Sequence, residues 1–530
     1  MKALAQILFI IICLIFIAAI GRLIFGIPNS KLDSVFNEND VFFNRRLKLE
    51  RVLGKRFGNT LLLPSTISIS IFLLTTFGPS RDYPFIVAKI NHMLFIIVCW
   101  KAVSYKNLII RKKTLIKWKA FLLVTVALSI SHPFLLPLVL FQHIFFFNGW
   151  LHHSQLVSRI MMCQISFMIS FSLSNLVLPE YSINILCSNS YVILLFSIVF
   201  SHYLIPGIGK VRIGKKWYSW IKNDQLQYLL SSAYIWGWCR FLPEKKVINF
   251  ISRLDGYTIY LKTAAVMVEC STLFIMLDGH LAIYITLSVL LFQLSVFVFS
   301  GIFFFENILV LFTLLTIIPQ LDDSYFGIKS FFISLLILIF PVNGLCWQPY
   351  KLSWWNAPLA GRIHWLVKGR SGKIYELHND CFDAYERLFG RVYGYFLTDE
   401  NIPYYHLGEI FEEQVKSDIL ETKGNSKLVA EIKLKHGKYM RNRQAEQVHD
   451  VFIMKYVGKL SKRKENLFVK FVNRLAFPGG QWYYWSDYPK YENQEGIEKL
   501  LIQFDEVYFT GKEFKKINTY IIKEIDMSLV

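Results

Sequence analysis

Residues 189–210 read NSYVILLFSIVFSHYLIPGIGK, and the reading of this stretch decides the fold. Its apolar run of roughly twenty residues is long enough, as a helix, to cross the hydrocarbon core of a bilayer. The run ends on Pro206, Gly207 and Gly209, and then on Lys210, with Trp217 just beyond. Proline and glycine predict a helix break immediately before Lys210, which would expose backbone groups and open space beside the ammonium. A lysine at the mouth of a span is costly to desolvate. It is either an interfacial anchor that snorkels to water or a residue of a site.

The composition around this stretch is that of an integral membrane protein. The chain has 530 residues, 54% hydrophobic and 16% aromatic, with a mean hydropathy of +0.39. Soluble domains are rarely this apolar. The net charge is +20. Residues 346–530 hold 28 Lys and Arg against 24 Asp and Glu, so most of the positive excess falls in the first 345 residues. A nucleic-acid binder would carry its excess on a soluble part. Here the excess lies between apolar runs, where orientation and contact with membrane lipids explain it, and no nucleic-acid partner is expected. The eight cysteines are scattered without a CxxC pair and read as small buried hydrophobes.

Apolar runs start at Ala3 and recur near 60–78, 85–104, 119–141, 156–178 and 189–208, then near 258–278, 281–299, 301–319 and 328–345. The first is too long for a signal-peptide core and reads as a span. The basic loops Arg45–Arg56 and Arg111–Lys119 are cytoplasmic by the positive-inside rule. Residues 226–242, rich in Tyr and Trp, are expected to lie in the interface or pack within the bundle. The expected fold is an α-helical polytopic membrane bundle of 8–10 spans over residues 1–345, with a C-terminal soluble α+β domain over 346–530. Within that domain, Gly372-Lys373-Ile374-Tyr375 reads as a turn and strand. Val429–Leu434 and Val451–Val457 alternate and read as strands, whereas Gln444–Asp450 and Ile497–Glu506 fit helix or strand.

Several polar groups stand out against this apolar background. His152, His153 and Ser154 follow Trp150 at a span mouth, and histidine suits proton transfer near neutral pH. Glu269 lies in the apolar run Ala264–Met276, where a carboxylate must be paired, protonated or turned to a cavity. Arg240 and Lys262 are its expected partners if the role is structural. Glu306-Asn307 occupies a similar setting, and Gln293, Ser295 and Ser300 are suited to an interior face. No serine-nucleophile elbow or HExxH motif appears, and no histidine spacing calls for a metal.

The order of these elements resembles the vitamin K-dependent γ-carboxylases and the related horizontally transferred transmembrane (HTTM) proteins. His153-Ser154-Gln155-Leu156 is similar to that family's His-Ser-Tyr-Leu element. Tyr203 to Lys210, followed by Trp217, is similar to its aromatic-x-x-small-Gly-x-Lys-Lys span end. Glu269 or Asp278 stands where the family has an acidic residue, and Phe299-Ser300-Gly301-Ile302-Phe303 looks like its Ser-Ile-Gly-Met-Phe. The likeness covers about residues 140–320. Glycine replaces the first lysine of the family's pair, and two extra residues precede Trp217. Leu291 or Gln293 stands in place of a later histidine.

The resemblance implies a quinol-dependent oxidoreductase or carboxylase in a bacterial inner (plasma) membrane, acting on a peptide or another lipophilic substrate. Reduced vitamin K or menaquinol is the implied cofactor. In the family a lysine deprotonates the hydroquinone. Oxygen then gives an epoxide and a strong base, which removes a glutamate γ-proton before CO₂ adds. By resemblance Lys210 is that base and His153 its assistant. Trp217, Gly207, Glu269, Ser300 and Gly301 belong to the surrounding pocket. A desolvated lysine with a lowered pKa meets the requirement for a neutral base. The competing reading is a non-enzymatic membrane scaffold or lipid-binding component of an export, immunity or assembly system. Lys210 and His153 are then interfacial anchors.

Overall fold

The computed structural model describes residues 2–25, 85–104, 112–146, 155–177, 180–382, 394–460 and 481–527. The chain begins as a set of helices: α1 (Lys2–Phe25), α2 (Phe85–Ser104), α3 (Lys112–Ser131), α4 (Leu136–Phe146), α5 (Gln155–Val177) and α6 (Glu180–Arg212). After a short connection come α7 (Gln227–Trp236), the amphipathic helix α8 (Glu244–Asp255), α9 (Thr258–Ser271), α10 (Gly279–Ser300), α11 (Phe305–Ile317) and α12 (Ile328–Val342).

Among the described residues, five helices are long and apolar enough to cross a membrane: α1, α2, α5, α6 and α10. The apolar helices α4, α11 and α12 are shorter. The expected run 258–278 is not one span: α9 ends at Ser271 and a 3₁₀ turn follows. The run 301–319 likewise starts late, because Gly301 ends α10 with φ +70°. Glycine adopts that left-handed conformation without a Cβ clash. The expected span at 60–78 lies outside the described residues.

Helices α5 and α6 form the interior of the set. They pack on each other and on α1, and α6 also packs on α9 and α12. Their buried surface is apolar (Ile160, Cys163, Phe167, Tyr191, Phe196, Phe200) with serines between. Ser172, Ser197 and Ser201 bond back to their own helix carbonyls, and Ser197 also meets Ser334 of α12 at 2.9 Å.

The C-terminal region is built on a four-stranded antiparallel sheet of order β2-β1-β3-β4: β1 (Leu359–Gly369), β2 (Ile374–Glu376), β3 (Ile497–Phe509) and β4 (Phe514–Asp526). The turn at Gly372 (φ +82°) and the strand after it are where the sequence places them. β1 and β3 are buried almost throughout, and the edge strand β4 alternates, as one covered face requires. Two expected strands are helices instead: 429–434 lies in α13 (Ser426–His436) and 451–457 in α14 (Arg443–Leu460). Asn425 caps the first of these, its side-chain oxygen accepting from the Lys427 and Leu428 amides.

Helix α7 packs against the long helix α10, one of the two placements the sequence allows. It also packs on β1 and β3, and Trp236 is fully buried. A second hydrophobic core therefore crosses residue 345, joining Trp220, Trp236, Trp238 and Val266 to Trp355, Trp365, Ile502 and Phe504.

Candidate functional site

The expected break before Lys210 does not occur. α6 runs through Pro206, Gly207 and Gly209 to Arg212. Proline there removes only the hydrogen bond that the His202 carbonyl would accept. The glycines serve packing. A Cβ on Gly207 would stand 2.9 Å from the Glu269 Cβ, and one on Gly209 would stand 2.8 Å from the Ser353 hydroxyl. Without side chains at these points, α6 lies close against α9 and against residues 351–353.

That approach brings Lys210 onto Glu269. The ammonium donates to both carboxylate oxygens, at 2.6 and 2.7 Å. Lys210 is 8% exposed and Glu269 3%. The Trp220 ring lies 5.5 Å from the ammonium, and the Trp220 indole N–H is held by the Trp354 carbonyl at 2.9 Å. The site is a buried amine–carboxylate pair roofed by an indole, at the end of a long apolar helix. It can bind a group that both donates and accepts hydrogen bonds. It can also pass a proton between nitrogen and oxygen.

The expected partners of Glu269 are engaged elsewhere. Lys262 donates to the Asp224 carbonyl, and Arg240 pairs with Asp487 at 2.8 Å and donates to the Tyr234 carbonyl. Asp278 caps α10 by accepting from the Leu281 amide, so Glu269 is the acid that meets Lys210.

Of the residues expected to surround Lys210, Gly207 and Glu269 are present. Trp217 is 66% exposed and stacks edge-on against Tyr218. Ser300 and Gly301 serve a different contact. The Ser300 carbonyl accepts the Tyr483 hydroxyl, the Gly301 carbonyl accepts the Trp482 amide, and a Cβ on Gly301 would strike the Trp238 ring. Together with Phe297 and Trp485 these residues fasten residues 481–485 to the end of α10. His153 lies outside the described residues.

Two further polar clusters are buried. Lys101 on α2 pairs with Glu306 on α11 and lies 3.3 Å from His143 Nε2 on α4. The sequence flagged Glu306; Lys101 escaped notice because it closes an apolar run like an ordinary anchor. In the sheet, Arg362 and His364 of β1 meet Glu376 of β2 at 2.9 and 3.1 Å, and Asp505 of β3 faces His364 at 3.5 Å. Burial opposes charge on Asp505. Hydrogen bonding to His364 and Gln503 and the nearby Lys516 nonetheless bring its pKa down to about 2, while burial and Arg362 bring the His364 pKa down to about 4.

A separate cleft of about 680 Å³ lies between α13 and β3–β4. Lys433 is held there by Glu400 at 2.7 Å and Glu506 at 2.9 Å. Among the described residues no group of three or more His, Cys, Asp or Glu side chains is placed to hold a metal ion.

Comparison with family models, with curated proteins and with solved structures matches none of them.

Proposed function

We propose that this is a multi-pass integral membrane protein that carries out quinol-dependent oxidation, or a carboxylation coupled to it, at the Lys210–Glu269 pair. The observation that carries the reading is the direction of the Lys210 side chain. An interfacial anchor would extend to headgroups, whereas this ammonium is turned inward onto a buried carboxylate beneath an indole. A quinol supplies a phenolic proton and, once deprotonated, an electron-rich ring for reaction with oxygen.

The residues present fit such a group. The Trp220 face suits a flat ring, and the amine–carboxylate pair suits a hydroxyl that donates one hydrogen bond and accepts another. The pairing revises how the base arises. With a carboxylate this close, the amine is not the only proton acceptor at the site. Glu269 takes the proton instead. It either accepts directly from the bound hydroxyl or neutralises Lys210 by receiving its proton. Trp220 and residues 351–353 keep water from the pair.

The test is quinol consumption by the purified protein in lipid, offered menaquinol and reduced vitamin K. Wild type is expected to turn over. Lys210→Ala and Glu269→Gln are each expected to lose at least about 100-fold, the usual size of a general-base contribution. Equal turnover in all three proteins refutes the reading. Absence of turnover in wild type with either quinol favours the scaffold alternative, in which the pair is a clamp between α6 and α9.

A further inference from the structure

Lys101, His143 and Glu306 come from three helices and meet at one point. All three side chains are essentially sealed from solvent. Two charges inside a set of apolar helices are expensive even when paired, and isosteric apolar residues would pack there at least as well. Ionisable groups at such depth commonly mark proton or ion pathways.

The chemistry fixes the state of the ring. A protonated amine is a donor only, so His143 Nε2 must accept from Lys101, which places the ring proton on Nδ1. Lys101 thus donates in one direction to a carboxylate and in the other to an imidazole. A short polar trail leads from this cluster toward Lys210. Asn307, next to Glu306, lies beside the Tyr203 hydroxyl. That hydroxyl is buried and makes no hydrogen bond of good geometry. Tyr203, Gly207 and Lys210 stand at i, i+4 and i+7 on α6 and share one helix face, so Tyr203 lies about 10 Å along the helix from Lys210.

We infer that Lys101, His143 and Glu306 form a proton-exchange site inside the helical set, with Asn307 and Tyr203 on its Lys210 side. In one transfer, Lys101 gives a proton to His143 Nε2, forming imidazolium. The neutral amine regains a proton from Glu306 after that carboxylate has been protonated from the Tyr203 side. In the net, one proton passes from the Tyr203 side to His143, Glu306 and Lys101 end as they began, and nothing is oxidised or reduced. The other titratable basic groups described on the elements packed around the site are Arg159 on α5, Lys89 and His92 on α2, and Lys117 and Lys119 on α3.

This inference rests on the membrane-embedded reading but not on quinol chemistry. It is tested by infrared difference spectroscopy of the full chain in liposomes, titrated from about pH 5 to about pH 9, the range in which histidine switches charge. The expected result is a protonated-carboxyl band that titrates, shifts in heavy water, disappears in Glu306→Gln and survives, displaced, in Glu306→Asp. In His143→Gln the midpoint moves by about one pH unit or more, and Tyr203→Phe slows the isotope exchange of the band. Wild type with no Glu306-dependent band across the range overturns the inference and leaves the cluster a fixed ionic clamp. An identical midpoint in His143→Gln also overturns it. Quinol turnover is scored separately. Turnover without the band defeats this inference alone; the band without turnover defeats only the quinol reading.

Discussion

Lys210 and Glu269, 59 residues apart in the chain, meet as one ammonium shared by both oxygens of one carboxylate. Gly207, one turn before Lys210, is what lets their helices come close enough. The strength of this contact depends on both partners being present. Removing one leaves a buried charge with nothing to answer it. Lys210→Met or Glu269→Leu alone is expected to destabilise the protein by about 3–5 kcal/mol, and the double variant to recover most of that loss. Thermal unfolding of the purified variants, taken as a double-mutant cycle, checks this. Additive losses would mean that the pair is not coupled.

Gly207→Ala puts a methyl group where the nearest atom is the Glu269 Cβ at 2.9 Å. Backbone on both sides restricts relief, so overpacking of about 1–3 kcal/mol is expected despite the better helix propensity of alanine. The displaced α9 should also leave Lys210 open to amine-reactive reagents. Faster labelling of Lys210 in the variant than in wild type is the readout.

Gly301 combines a left-handed φ of +70° with a Cβ position 2.8 Å from the Trp238 ring. Gly301→Ala should therefore pay both a strain and a packing penalty, together about 2–4 kcal/mol. Because Trp238, Trp482 and Trp485 gather there, tryptophan emission should shift to longer wavelength as residues 481–485 loosen. Unchanged emission and stability would show that this junction carries little of the fold.

Asp505 gives the sheet an acid-sensitive element. Its folded pKa lies below its unfolded one, so its contribution is complete above the unfolded pKa of about 4 and is lost as pH falls through about 2. The shift corresponds to about 2 kcal/mol. Asp505→Asn should lower stability by that amount near pH 6, and the gap from wild type should close toward pH 2. Denaturant unfolding at several pH values gives the comparison. A gap that stays constant with pH would mean that the loss is of packing, not of charge.

Much of the helical part was legible because hydropathy is a local property. Runs at 3–25, 85–104, 156–178, 189–208 and 281–299 needed no knowledge of their neighbours and are long apolar helices. The errors came where local signals compete. Val451 to Val457 alternates like a strand, yet Ile453, Tyr456, Val457 and, beyond them, Leu460 are buried at the i, i+3, i+4, i+7 spacing of a helix face. Asn425 was a readable cap for α13. Pro206 and the glycines were read as a break from residue preference. Contact with α9 and residues 351–353 overrides that preference, since tertiary packing outweighs propensities of about 1 kcal/mol for glycine.

The sequence by itself determined that most of this chain is apolar helix, that a mixed region follows it, and that Lys210 and Glu269 are charges placed where charge is costly. Only the tertiary structure decided that they answer each other, that Lys101 answers Glu306, and that Trp217 and Ser300 belong elsewhere. The cost of burying a charge is set by composition around it. The identity of the group that relieves that cost is set by which helices come within a few ångströms, and this depends on packing across the whole chain.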